Sequence, residues 1–185
     1  MSSLSAGPAT SFIAIVCSPG GSRTAQHASL VIAGAADAGA EAMQVDCGNG
    51  KVDDQLLKVI ERADALLFAA PTYRGQAAWP LKSLLDHIPR DRDGDSALRG
   101  KAAGTLLTAD SHHHFLGVEP TRSILCDFFG MQVLSPNLYV SSSDMGTTAG
   151  ESRISKQCRD YGAALTDLSQ WLASSSAARR LRPMA

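Results

Sequence analysis

The sequence predicts an open, doubly wound α/β fold: about five parallel strands in one domain, with helices on both faces. Two observations carry this. Residues 12–17 (FIAIVC), 65–70 (ALLFAA) and 102–107 (AAGTLL) are continuous apolar runs rather than alternating ones, as strands covered on both faces require. Helix-period segments lie between them, so the order is β-α-β-α-β-α-β-α-β-α. Right-handed crossovers then favour the strand order 2-1-3-4-5. A chain of 185 residues suits one such domain, over residues 11–173, flanked by flexible tails at 1–10 and 174–185.

After the first strand, residues 24–38 form an Ala-rich helix, and residues 41–45 a second strand. A helix follows at 53–60, opened by Asp53 and Asp54, whose charge suits a helix N-terminus. The third strand, 65–70, leads to a helix with Leu81, Leu84, Leu85 and Ile88 on one stripe, behind Trp79-Pro80; proline fits a first turn. That stripe has two readings: packing on its own sheet, or burial against a second copy of the chain. The fourth strand is 102–107 and the fifth 132–140, with Pro136 hinting at an edge or a bend. Residues 151–172 close the domain as a helix with Ile154, Tyr161, Leu165, Leu168 and Leu172 on one face.

Composition removes several classes of function. No window approaches about 18 consecutive apolar residues, so no membrane span is expected. The first ten residues lack the basic start and apolar run of a secretory signal. A formal net charge of -1 argues against a general nucleic-acid surface. Four dispersed cysteines without a C-x-x-C pair argue for reduced thiols and a cytoplasmic setting.

In such sheets ligands bind beyond the carboxyl ends of the strands. The loop after the first strand, Ser18-Pro19-Gly20-Gly21-Ser22-Arg23-Thr24, combines glycines, hydroxyls, a guanidinium and the free amides of a helix start. That is a phosphate cradle, although neither a Walker loop nor G-x-G-x-x-G is present. Its plain alternative is a turn with a Ser or Thr helix cap. After the third strand, Pro71-Thr72-Tyr73-Arg74-Gly75-Gln76 makes a rigid ledge on which a flat heteroaromatic ring would rest. The loop after the fourth strand is Thr108-Ala109-Asp110-Ser111-His112-His113-His114-Phe115.

These motifs together resemble the NADPH-dependent FMN reductases, and within them the alkanesulfonate-linked branch. The similarity spans about residues 12–140. Its most specific part is the run Pro71, Tyr73, Leu81, Lys82, Leu84, Leu85 and Asp86. The resemblance implies a flavodoxin-like fold with FMN and NADPH as cofactors. It further implies a homodimer or homotetramer, and a partner monooxygenase as recipient of reduced flavin. By position, Ser18, Ser22, Arg23 and Thr24 would hold the FMN phosphate. Pro71, Thr72, Tyr73 and Arg74 would flank the ring, with Thr108, Ala109, Asp110 and Ser111 beside it. Where the family has Thr-Gly-Gly-Ser, this chain has Thr108-Ala109-Asp110-Ser111, which adds two side chains near the ring and nicotinamide. The two-component members insert a Tyr in the following helix; here the stretch is Leu116-Gly117-Val118-Glu119-Pro120, and proline starts that helix near Glu119.

Few catalytic side chains are expected, because the hydride chemistry belongs to the cofactor. Asp110 with His112 or His113 is the candidate proton-handling pair. Three adjacent histidines diverge and lack a partner ligand at metal spacing, so no metal is expected. Cys17 reads as a small core residue. Three functions compete: a reductase releasing FMN, an enzyme retaining FMN to reduce a quinone, azo compound or biosynthetic intermediate, and a non-catalytic nucleotide-binding protein.

Overall fold

Burial on both faces is what the apolar runs encode. The computed structural model describes residues 9–93 and 95–180. In it β1 (Ser11–Val16), β2 (Glu41–Asp46), β3 (Ala65–Tyr73), β5 (Ala102–Ala109) and β6 (Gln132–Val133) lie in the order β2-β1-β3-β5-β6. All of these pairings are parallel. This is the expected 2-1-3-4-5 order, shifted in number by one short extra strand, β4 (Gln76–Ala77). The expected fifth strand is split. β6 pairs with the start of β5, the chain bends away through Pro136, and β7 (Leu138–Ser141) pairs with the end of β5.

Helices α1 (Arg23–Asp37) and α5 (Thr148–Ser174) cover one face. The other face carries α2 (Asp54–Arg62), α3 (Trp79–His87), α4 (Val118–Ser123) and a π turn, Ile124–Phe128. Asp53 caps α2, its carboxylate accepting from the Leu56 N–H at 2.8 Å. α4 begins one residue before Glu119, with Pro120 inside its first turn.

α1 and α5 meet backbone against backbone. A Cβ on Gly162 would stand 2.0 Å from the Val31 carbonyl oxygen, and one on Gly34 would stand 2.0 Å from that of Arg159. Only glycine lets the two axes approach so closely.

Two expectations change. The stripe Leu81, Leu84, Leu85 and Ile88 is fully buried in the chain's own core, so it is not the surface that meets a second copy. Trp79, at the start of the same helix, is 65 % exposed and covers Gly50 instead. The segment expected as a C-terminal tail carries a short helix, α6 (Ala177–Arg180), with Ala178 buried beside α5. Residues 1–8 and 181–185 of the two expected tails lie outside the described residues.

Candidate active site

The carboxyl ends of β1, β3 and β5 converge on a cleft of about 360 Å³. Its walls are Ser18, Pro19, Ser22, Arg23, Thr24, Pro71, Thr72, Tyr73, Thr108, Ala109 and Asp110. All eleven residues come from the three loops assigned from the sequence, and ten of them were expected to contact the cofactor; Pro19 is the addition.

The first wall is built by a helix cap. Gly21 takes a φ of 73°, which only glycine adopts freely, and turns the chain so that Ser22 caps α1. The Ser22 hydroxyl accepts from the Ala25 N–H at 3.2 Å and shares a 2.6 Å hydrogen bond with the Ser18 hydroxyl. The first-turn amides of Arg23 and Thr24 have no partner within the helix, and both residues line the cleft; the start of a helix is a ready site for an anion. Thr24 ties this wall to the third loop: its hydroxyl is buried against that of Thr108 at 2.6 Å.

The second wall ends in a hairpin that the sequence did not announce. Thr72 pairs with Ala77 and Tyr73 with Gln76, which leaves Arg74-Gly75 as a two-residue turn. Both turn residues have positive φ, 51° and 77°, the pattern of a type I′ turn. Arg74 therefore stands at the exposed tip and does not line the cleft, whereas Tyr73 does. Thr72 is buried, and its hydroxyl has no hydrogen-bond partner among the described residues.

The third loop is where expectation and structure part. Asp110 pairs with Arg23 at 2.9 Å and accepts from the Ser142 hydroxyl at 3.0 Å. Arg23 also donates to Ser142. These bonds hold the Asp110 carboxyl below the usual carboxylate range. The ion pair is thus present above that range and is lost only as pH falls through the lowered value. His112 turns away from Asp110 and meets Asp144 at 3.3 Å, a carboxylate already bound by Arg153 at 3.2 Å. The expected Asp110–His112 proton pair is therefore not assembled. His113 leans on the Ser111 hydroxyl at 3.3 Å. Ser111 lies outside the cleft walls, its carbonyl accepting from the Tyr139 hydroxyl at 2.7 Å. Among the described residues no cluster of three His, Cys, Asp or Glu side chains could hold a metal ion.

Sequence reasoning missed Ser142 and Asp144. They belong to the run Ser141-Ser142-Ser143-Asp144, which begins on the last residue of β7; Ser141 caps a short 3-10 turn and the Asp144 carboxylate accepts from the Ser141 N–H. A Ser/Asp run at the carboxyl end of a strand was the available signal.

Among curated proteins no significant sequence match was found. Solved structures share the fold at low identity. An NADH:FMN oxidoreductase (EMOB), in its apo form, superposes with a TM-score of 0.70 at 23% identity, over 92% of this chain and 94% of its own. RosB with a bound 8-demethyl-8-formylriboflavin-5'-phosphate intermediate gives 0.69 at 16%, over 92% and 82%. FerB, an NAD(P)H:(acceptor) oxidoreductase from Paracoccus denitrificans, gives 0.67 at 17%, over 88% and 98%. The model of the NADPH-dependent FMN reductases matches residues 10–144, a stretch that includes all three walls of the cleft. The chain therefore belongs to the NADPH-dependent FMN reductase family and is an oxidoreductase.

Proposed function

We propose that this enzyme catalyses NAD(P)H-dependent reduction of FMN, with the phosphate on the Ser18–Thr24 loop and the ring between residues 71–73 and 108–110. One observation supports this most directly. The buried Thr72 hydroxyl sits on the cleft wall without a partner among the described residues, and a buried polar group left unsatisfied is costly enough that a ligand atom is its natural complement. The capped start of α1 adds donors suited to a phosphate. Bound FMN would supply the two-electron chemistry, with reduced nicotinamide (NADPH, following the family) as hydride donor. The chain's own work is positional: Ser22 presents a hydroxyl, Thr24 ties its loop to the third wall through Thr108, Arg23 presents charge, and Pro71 with Tyr73 supports a flat ring.

Asp110 competes in this scheme. A phosphate arriving at Arg23 must displace a carboxylate that already holds the guanidinium. Asp110→Asn is expected to tighten FMN binding roughly three- to fivefold in a fluorescence titration, the scale of one exposed ion pair. Weaker binding would instead make Asp110 the residue that positions Arg23. Replacing Ala109 and Asp110 together by glycine is expected to raise NADPH oxidation with free FMN as acceptor.

A second reading has an observation of its own. α4 starts at Val118 with Pro120 in its first turn and carries no inserted Tyr, and Asp110 adds a carboxylate to the third wall. Both favour an enzyme that retains FMN and reduces a quinone, azo compound or biosynthetic intermediate over one that passes reduced flavin to a monooxygenase. The visible spectrum after desalting decides between them. Flavin bands that persist support retention; a colourless protein that consumes NADPH only with added FMN supports release. NADPH oxidation in neither condition would overturn the proposal. A homodimer or homotetramer in the cytoplasm completes this reading, formed by a surface other than the Leu81–Ile88 stripe. Among the described residues no helix is long and apolar enough to cross a membrane.

A further inference from the structure

Cys17 and Cys47 take no part in the chemistry above, yet the fold sets them side by side. Each is the first residue beyond a strand, β1 and β2, and the parallel register that pairs Val16 with Asp46 brings them together one step later. The Cys47 N–H donates to the Val16 carbonyl at 2.8 Å and the Cys17 N–H to that of Ala69 at 2.7 Å, so both backbones are held. Neighbouring strands run about 4.8 Å apart, inside the Cα separation of about 4.4–6.8 Å that a disulfide spans. Both side chains enter the same core layer, 0% and 1% exposed. The two differ in character. The Cys47 contact and burial push the Cys17 thiol up, so it remains the donor. Accepting that bond brings Cys47 below the ordinary thiol value, although burial and the charges of Asp46 and Asp53 oppose it.

The pair also underlies the phosphate cradle. Ser18 follows Cys17, and Gly48 follows Cys47. A Cβ on Gly48 would stand 2.3 Å from the Ser18 carbonyl oxygen, so the two segments touch without slack. Any shortening between the sulfurs must therefore move Ser18 and disturb its 2.6 Å bond to Ser22.

We propose that Cys17 and Cys47 form a thiol–disulfide switch beneath the phosphate loop, closed by hydrogen peroxide. The Cys47 thiolate attacks one peroxide oxygen; an S–O bond forms, the O–O bond breaks, and the departing oxygen leaves as water after protonation. The Cys17 thiol then attacks the Cys47 sulfur; the S–S bond forms, the S–O bond breaks, and a second water leaves. Two thiols lose two electrons and the peroxide gains them. Access runs through the surface turn of residues 47–51, where the Cys47 thiol donates to the Lys51 carbonyl at 3.6 Å and Asn49 and Lys51 are exposed. The effect on FMN rests on the function proposed above; the disulfide itself does not.

The test uses the full chain carrying Cys126→Ser, which removes the half-exposed thiol. The reduced protein is treated with hydrogen peroxide, denatured and alkylated. Intact mass is expected to fall from three alkyl groups to one, with a Cys17–Cys47 linked peptide that dithiothreitol releases. Amide hydrogen exchange over residues 18–24 is expected to quicken at least tenfold on oxidation and to recover on reduction, and FMN affinity to fall about tenfold. Cys47→Ser, or Cys17→Ser should that variant fold poorly, is expected to abolish all three changes. Three alkyl groups after peroxide, a pairing other than Cys17–Cys47, or a linked peptide with unaltered exchange would overturn the switch. Altered exchange in a chain whose reduced form binds no FMN would overturn the flavin reading and leave the switch standing.

Discussion

Replacing Ser22 and Arg23 together by alanine is expected to weaken FMN binding roughly 100-fold, the combined scale of a lost hydroxyl contact and a lost charge-assisted one. Ser22 acts twice, because its hydroxyl both faces the cleft and caps α1. Losing the cap alone costs about 1 kcal/mol of stability. Arg23→Ala spares the cap, so the single variant separates ligand contact from folding; a modest drop in Tm with a large drop in affinity is the expected pattern. A fluorescence titration gives both affinities. An unchanged dissociation constant in the double variant would remove the phosphate from this loop.

Gly162→Ala is expected to lower stability by about 3 kcal/mol, and Tm by roughly 10 °C, without touching the cleft. One methyl group would stand 2.0 Å from the Val31 carbonyl and 2.8 Å from the Ala35 nitrogen, so α1 and α5 must separate. The neighbours are backbone atoms of a packed helix, which do not swing aside as a side chain would. Gly146→Ala is the control: its Cβ would meet nothing within 4 Å, and a change within about 0.5 kcal/mol is expected. Calorimetry on the two variants reads the difference. A drop in Tm below about 2 °C for Gly162→Ala would mean that the helix contact yields more readily than its geometry implies.

The parts of this fold that are written in local sequence were legible, and the parts that depend on distant partners were not. Residues 12–17, 65–70 and 102–107 show their strands because burial on both faces demands an unbroken apolar run. Ser22 and Asp53 reveal helix starts because capping is local chemistry. β4 has two residues, too few for any periodicity, and depends on the turn at Arg74, an unusual residue at positive φ. The Leu81–Ile88 stripe has the same spacing whether it faces its own sheet or another chain, and only the fold resolves which. The Arg23–Asp110 pair joins residues 87 apart in sequence, so nothing near either one discloses it. The same holds for His112, whose partner Asp144 lies beyond β7. Gly34 and Gly162 read locally as weak points in helices, whereas their purpose is set by a helix more than a hundred residues away.

The Thr24–Thr108 hydrogen bond carries one more consequence. These buried hydroxyls lie 84 residues apart, and the cleft closes only when three separate crossovers have brought β1, β3 and β5 into line. A partly folded chain has no such cleft at all, and on the function proposed above it has nowhere to hold FMN. Cofactor supply then becomes a quality signal, since mass action favours only the finished molecule: free FMN at 100 times its dissociation constant adds about 2.7 kcal/mol to the folded state. On the function proposed above, a chain short of flavin is correspondingly more open to unfolding and to proteases, so the abundance of the protein would follow the supply of FMN.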